Sequence, residues 1–242
     1  MSQMQAAKDS ASRLRPRRKM RDAAATRRAL EQSILYSEEL DINLAQKTED
    51  VYFRWFLASL LFGARISETT AKNTFRAFMH YGLTTPGKIV ATGWDFLVYP
   101  VMREGGYVRY DGRKSTQILR SCESLMAGYG SSLGRLHQAA SDANDLEKRL
   151  LGFYGVGPVT MNIFLRELRP FWPKADPDPL PAVKMAANQL GIDLKHYPRK
   201  SLVFARVEAG LIRRRREFAR ARLRGPASHP ASHRPSAQGA GA

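Results

Sequence analysis

An all-α fold is predicted by three features of this 242-residue sequence. Apolar side chains recur at helical spacing in one segment after another, and no stretch shows a convincing period-two hairpin pattern. A Gly-x-Gly turn followed by proline sits between two of the helical segments. With 43 % hydrophobic residues the chain can bury one good core or two small ones, and no apolar run reaches membrane-spanning length.

Taken in order, Thr48 to Phe62 carries Val51, Trp55, Phe56, Ala58, Leu60 and Leu61 and reads as a buried helix ended by Gly63 and Ala64. Ser67 or Thr69 opens the next, which runs through Ala71, Phe75 and Phe78 to a stop at Gly82. A short helix follows from Pro86 to Ala91. Trp94 to Val101 is apolar and mixed, Gly105-Gly106 breaks it, and Tyr107-Val108-Arg109-Tyr110 suits a brief extended piece. Asp111 to Met126 then sets Ile118, Leu119, Cys122 and Leu125 at helical spacing. Ser141 to Gly152 has a capping start at Ser141 or Asp142 and apolar Leu146, Leu150 and Leu151. Pro158 opens a helix with Met161, Phe164, Leu165 and Leu168 on its buried stripe, and Ala182 to Leu190 and Leu202 to Ile212 complete the set. Trp55, Trp94 and Trp172 lie in apolar stretches and read as core.

The formal charge of +17 favours a polyanionic partner, and its distribution sharpens that. Residues 1–28 carry +7 and residues 213–242 carry +7, leaving +3 for residues 29–212. The organisation expected is a disordered basic arm over 1–28, a helical domain over 29–212, and an Arg-rich then low-complexity tail over 213–242. Arg213, Arg214, Arg215 and Arg216 would add salt-dependent affinity for nucleic acid without reading sequence; solubilising tails are the plainer alternative. Cys122 stands alone, which excludes an internal disulfide and any four-cysteine metal site. His80, His137 and His196 offer no metal spacing. The N-terminus is basic but lacks the apolar core of a signal peptide, so a cytoplasmic, nucleoid-associated location is expected.

The most informative stretch is Phe153 to Thr160. Gly155 and Gly157 permit positive φ and close backbone approach, so that consecutive amides and a helix N-terminus can converge on one phosphate oxygen. A plain helix–helix turn also uses glycine, and context decides between the two.

Three segments in order supply that context, and together they resemble the helix-hairpin-helix, Gly/Pro-Asp DNA glycosylases of the endonuclease III type. Tyr154-Gly155-Val156-Gly157 looks like the family's Pro-Gly-Val-Gly. Leu61-Phe62-Gly63-Ala64-Arg65-Ile66-Ser67-Glu68 looks like its Leu-Leu-Ser-Ala-Gln-Ala-Thr-Asp turn, and the stretch from Gly112 to Leu119 is similar to its Asn-Ser-Lys-Ala-x-x-Ile-Ile helix. The resemblance covers Thr48 to Gly191, well over half the chain.

It implies a bilobal all-α protein, with the hairpin on one lip of a cleft and a catalytic aspartate inside. Tyr154, Gly155, Val156, Gly157, Val159 and Thr160 would contact duplex DNA, damaged or mismatched, and a flipped nucleotide would enter the cleft. Asp176 and Asp178 are the catalytic candidates; the family's Val-Asp pattern favours Ala175-Asp176, while spacing from the hairpin does not choose. Arg65 falls where the family places a glutamine that fills the gap left by the flipped base; a surface arginine on phosphate is the equal alternative.

Two departures restrict the chemistry. The Schiff-base lysine position holds Val159, so the resemblance implies a monofunctional glycosylase with water as nucleophile, and a non-catalytic DNA-binding protein is the alternative. The iron-sulfur cysteines are absent, so no such cluster and no other cofactor is expected. A monomer that spans no membrane completes the expectation, with a basic RNA-associated protein as a third class.

Overall fold

The computed structural model describes residues 22–223, with side chains as far as Arg215. It is all-helical, with no strand among the described residues. Helix α1 occupies 22–31, and two 3-10 turns follow at Glu38–Leu40 and Leu44–Gln46. Then come α2 (Glu49–Phe62), α3 (Glu68–His80), α4 (Pro86–Thr92), and a short α5 (Trp94–Phe96) that runs into a π-turn at Leu97–Met102. The second half holds α6 (Asp111–Tyr129), α7 (Leu133–Ala139), α8 (Ala143–Leu151), α9 (Pro158–Leu168), α10 (Pro181–Leu190) and α11 (Leu202–Leu223).

Helix α2 is buried on nearly every face, as its continuous apolar run requires, and the other helices gather round it. Thr48 caps it by accepting from the Val51 amide, and the fully buried Trp55 indole donates to the Phe164 carbonyl of α9 at 3.0 Å. Glu49 in its first turn reaches α7, where its carboxylate accepts from the Leu133 and Gly134 amides. A carboxylate there serves orphan donors and opposes the positive end of the α7 dipole. The buried apolar side chains form one large cluster around α2, α6 and α9 and a smaller one built from Leu30, Val183, Ala187, Phe204, Val207 and Leu211.

Four expectations need correction. Helix α1 already covers residue 22 and buries Leu30, so the N-terminal boundary at 28 falls inside a helix. Helix α11 likewise runs unbroken through 212, because arginine is a good helix former and Phe204, Val207 and Leu211 anchor the preceding turns. The rest of both arms lies outside the described residues. Tyr107 to Tyr110 forms no strand: 107 and 108 have no regular structure and 109 and 110 bend, with Tyr110 at φ +64° just before α6. Trp94 is 45 % exposed, its indole donating to the Gly112 carbonyl, so only Trp55 and Trp172 of the three are core. Helix α7 escaped sequence reading because Gly134 interrupts an already short apolar repeat of Leu133 and Leu136.

Lys114 is an unusual member of the interior. Its ammonium donates to the Leu60 carbonyl, in the last turn of α2, at 3.1 Å, and burial pushes it down to about 8 from 10.5, with Arg113 adding repulsion. Between those values the unfolded chain holds a proton that the folded chain has released, so Lys114 makes stability rise with pH across that window. Urea unfolding from about pH 7 to about pH 10 is expected to show this gain, up to about 1.4 kcal/mol per pH unit, as a difference between the natural chain and Lys114→Met. Equal pH slopes in the two proteins would refute it.

Candidate nucleic-acid interface

The hairpin is built by packing on both flanks. Asp142 caps α8 by accepting from the Asp145 amide, and Asp145 returns the bond by accepting from the Ser141 amide. After Gly152 the chain buries Phe153 edge-on to Phe56 and closes a turn with the Val156 amide donating to the Phe153 carbonyl. Ser121 of α6 donates its hydroxyl to the Tyr154 carbonyl at 3.1 Å. Gly155 sits at φ +87°, and an added Cβ would lie 2.5 Å from the Gln117 side chain, so both backbone conformation and space require glycine there. Gly157 needs neither, since nothing lies within 4 Å of its Cβ position. Pro158 begins α9, and no side chain caps its N-terminus.

Several predicted residues come together here. Tyr154 and Val159 are both 47 % exposed and flank the uncapped end of α9. Arg65 is exposed in the loop after α2, two residues beyond Gly63, which packs directly against Thr160. The hairpin and the Arg65 loop are therefore neighbours. Val156 and Thr160, by contrast, turn their side chains inward and are buried, so they support the turn rather than present a contact. At phosphate distance, only their backbone could serve.

The arginine run divides in the same way. Arg213 stacks over the Tyr36 ring at 4.3 Å and pairs with Glu39 at 3.2 Å, so its charge is spent internally. Arg214 is partly buried, Arg215 is exposed, and the side chain of Arg216 lies outside the described residues.

Sequence reading missed a basic stripe on α6. Arg113 and Arg120 are exposed, Gln117 between them touches Gly155, and Arg120 stacks over the Tyr154 ring at 4.7 Å. Spacing of i, i+4 and i+7 puts all three on one helical face, a signal that was present in the sequence. That face runs from the hairpin to the exposed Tyr110, whose ring Arg109 covers at 5.3 Å.

A cavity of about 410 Å³ opens beside Val159. Phe62 and Ile163 line it from the large cluster, and Leu180 and Ile212 from elements packed on the small one, so it lies on the seam between the two. Arg166 and Arg215 also line it, and neither Asp176 nor Asp178 does.

The two aspartates sit in an ion network instead. The Asp176 side chain, 29 % exposed, accepts from Arg199 Nε at 2.9 Å and lies 3.6 Å from the buried Arg169 guanidinium. Arg169 in turn bonds the buried Glu208 of α11 and the Pro177 carbonyl. Asp178 is 82 % exposed, 3.5 Å from Arg199 and 3.9 Å from Lys184, while Asn162 of α9 holds its carbonyl at 2.6 Å. Asp178 borders a separate groove of about 900 Å³ with Lys184, Lys195 and Arg199. Glu147 of α8 lies close enough to feel both: its carboxyl is raised by burial first, then by the charges of Asp178 and Asp176. Asp176, the favoured catalytic candidate, is thus held between two arginines, one of them buried, whereas the cations beside Asp178 are exposed or half-exposed. Asp178 is the accessible one.

No group of His, Cys, Asp and Glu among the described residues could hold a metal ion, and no described helix is long and apolar enough to cross a membrane. No protein-family profile, curated protein or solved structure matches the chain.

Proposed function

We propose that this chain binds duplex DNA through its hairpin, as a two-lobed helical protein of helix-hairpin-helix type with the Val159 cavity between the lobes. The observation that carries this reading is the Gly155–Gly157 turn. A left-handed glycine packed against α6 leads into a helix start with no side-chain cap, flanked by exposed Tyr154 and by Arg65 and Arg120. Exposed amides at a helix N-terminus favour an anion, and the cations around them track a phosphate backbone. Contacts of this kind position a duplex and do not read its bases.

Base release is the second reading, favoured by the accessibility of Asp178, which borders the groove of about 900 Å³ and not the Val159 cavity. In it Asp178 stabilises the positive charge that develops on the sugar and orients water, giving an abasic site without strand cleavage. Val159 offers no nucleophile for a Schiff base.

Fluorescence anisotropy with a labelled duplex at several salt concentrations tests the first reading. Affinity is expected to fall linearly in log–log form, and removing Arg120 should shallow the slope by about one. A salt-independent signal, or a clear preference for structured RNA over duplex, would overturn it. Incubation with duplexes carrying uracil, oxidised guanine, alkylated purines or mismatches tests the second: free base is expected from the natural chain and not from Asp178→Asn.

A further inference from the structure

We infer that the cavity beside Val159 is a binding site for a flat heterocycle presenting carbonyl or ring-nitrogen acceptors, with Arg166 as the group that reads it. Arg166 is 2 % exposed, yet its Nε and Nη1 find no hydrogen-bond partner, while Nη2 lies 3.6 Å from Glu167. Leaving donors of a buried guanidinium unmatched is costly, and such groups ordinarily have a partner, so an unmatched pair on a cavity wall marks where an acceptor belongs. The guanidinium lies over the Tyr36 ring, its carbon 5.0 Å from the centroid, which restrains its position.

The rest of the lining defines what that acceptor is attached to. Phe62, Ile163, Leu180 and Met185 present apolar surface, Tyr36 adds an aromatic ring, and no acidic side chain lines the cavity. A bare phosphate would forfeit most of this wall, whereas a planar ring buries against it. About 410 Å³ lies within the range of small-molecule sites. Arg215, exposed on the same cavity, is placed for a phosphate attached to the ring.

Chemistry then separates the bases. On the major-groove edge guanine offers O6 and N7 and thymine or uracil offers O4, all acceptors, whereas adenine sets an amino donor beside its N7 and cytosine presents its amino group there, so a donor-only guanidinium meeting that edge is matched without conflict only by guanine and by thymine or uracil. A site reading that edge selects these keto members over the amino members adenine and cytosine. Its source is either a free nucleotide or an unpaired base within DNA. The inference stands on the cavity and not on the hairpin.

The experiment is an equilibrium titration of the full chain with GMP, UMP, AMP and CMP, and in parallel with duplexes holding one unpaired guanine, thymine, adenine or cytosine. Keto members are expected to bind about tenfold or more tighter than amino members, the scale of a hydrogen bond to a charged group. Arg166→Met should abolish that preference. Because Arg166 is buried and its loss can disturb folding, Met185→Trp provides the second variant: it fills the cavity from a half-exposed position and should weaken keto ligands while leaving binding to a fully paired duplex intact. Selectivity with mononucleotides assigns a free-nucleotide source, and selectivity only within DNA assigns an unpaired base; either result supports the site. Equal binding of keto and amino members, no binding in either format, or keto binding unchanged by Met185→Trp would overturn it. Affinity for the paired duplex, measured in the same series, reports separately on the hairpin.

Discussion

Gly155→Ala is expected to lower duplex affinity by at least about tenfold and to destabilise the fold by more than the roughly 1–2 kcal/mol that a left-handed residue carrying a Cβ costs. Two separate penalties meet at this position. Alanine tolerates φ +87° poorly, and its methyl would lie 2.5 Å from Gln117 Cγ. Gln117→Ala in the same chain removes Cγ and Cδ but leaves its Cβ 2.7 Å from the added methyl, and the backbone penalty stays, so the double variant should regain only a small part of the stability and little of the affinity. Gly157→Ala makes the contrast. Its φ of −98° suits any residue and its Cβ meets nothing within 4 Å, so stability should change by less than about 1 kcal/mol. Its methyl nevertheless stands where a phosphate would approach the α9 amides, so affinity should still fall. Chemical denaturation and anisotropy on the three variants provide the check. Full duplex affinity in both single variants would remove the hairpin from the interface.

The same residues show where sequence reading succeeds. Helices came through because burial imposes periodicity: α2, α6 and α9 each carry their core contacts in an apolar pattern, and Pro158 and Gly157 mark a helix start by local stereochemistry alone. The Gly155 turn was legible for the same reason. Side-chain direction within the turn was not, because whether Thr160 faces out or packs on Gly63 depends on where α2 ends in space. Partners distant in sequence were equally hidden. Arg213 looked like one of four equivalent tail arginines, yet Tyr36 and Glu39 claim it from the other end of the chain. Asp176 suffered the same way: its arginines, at 169 and 199, are drawn in only by the packing of α9 against α11. A charge run records composition, whereas a site needs the three-dimensional list of what each charge already holds.

Arg169→Met is expected to destabilise the protein by about 3–5 kcal/mol, the scale for removing one partner of a buried ion pair. Arg169 and Glu208 are both fully buried and bonded to each other, and burial drives each toward its neutral form, the guanidinium down and the carboxyl up. Once Arg169 is gone, Glu208 must take up a proton or remain a buried charge without its bonded partner, and the Pro177 carbonyl loses one of its two donors, keeping Arg199. The double variant Arg169→Met with Glu208→Leu should recover most of the loss, because an apolar pair of similar volume avoids both desolvation costs. Asp176→Asn should cost about 1 kcal/mol, since its bonded partner Arg199 is 40 % exposed and water screens that pair, while the buried Arg169, 3.6 Å away, keeps Glu208. This ordering bears on the chemistry. If Asp176 belongs to the network that pins the 175–179 loop against α11, Asp176→Asn should lower the melting temperature slightly and leave base release intact. Asp178→Asn, at an 82 % exposed side chain, should do the reverse. Loss of base release in Asp176→Asn at an unchanged melting temperature would return Asp176 to the catalytic role and refute the structural one.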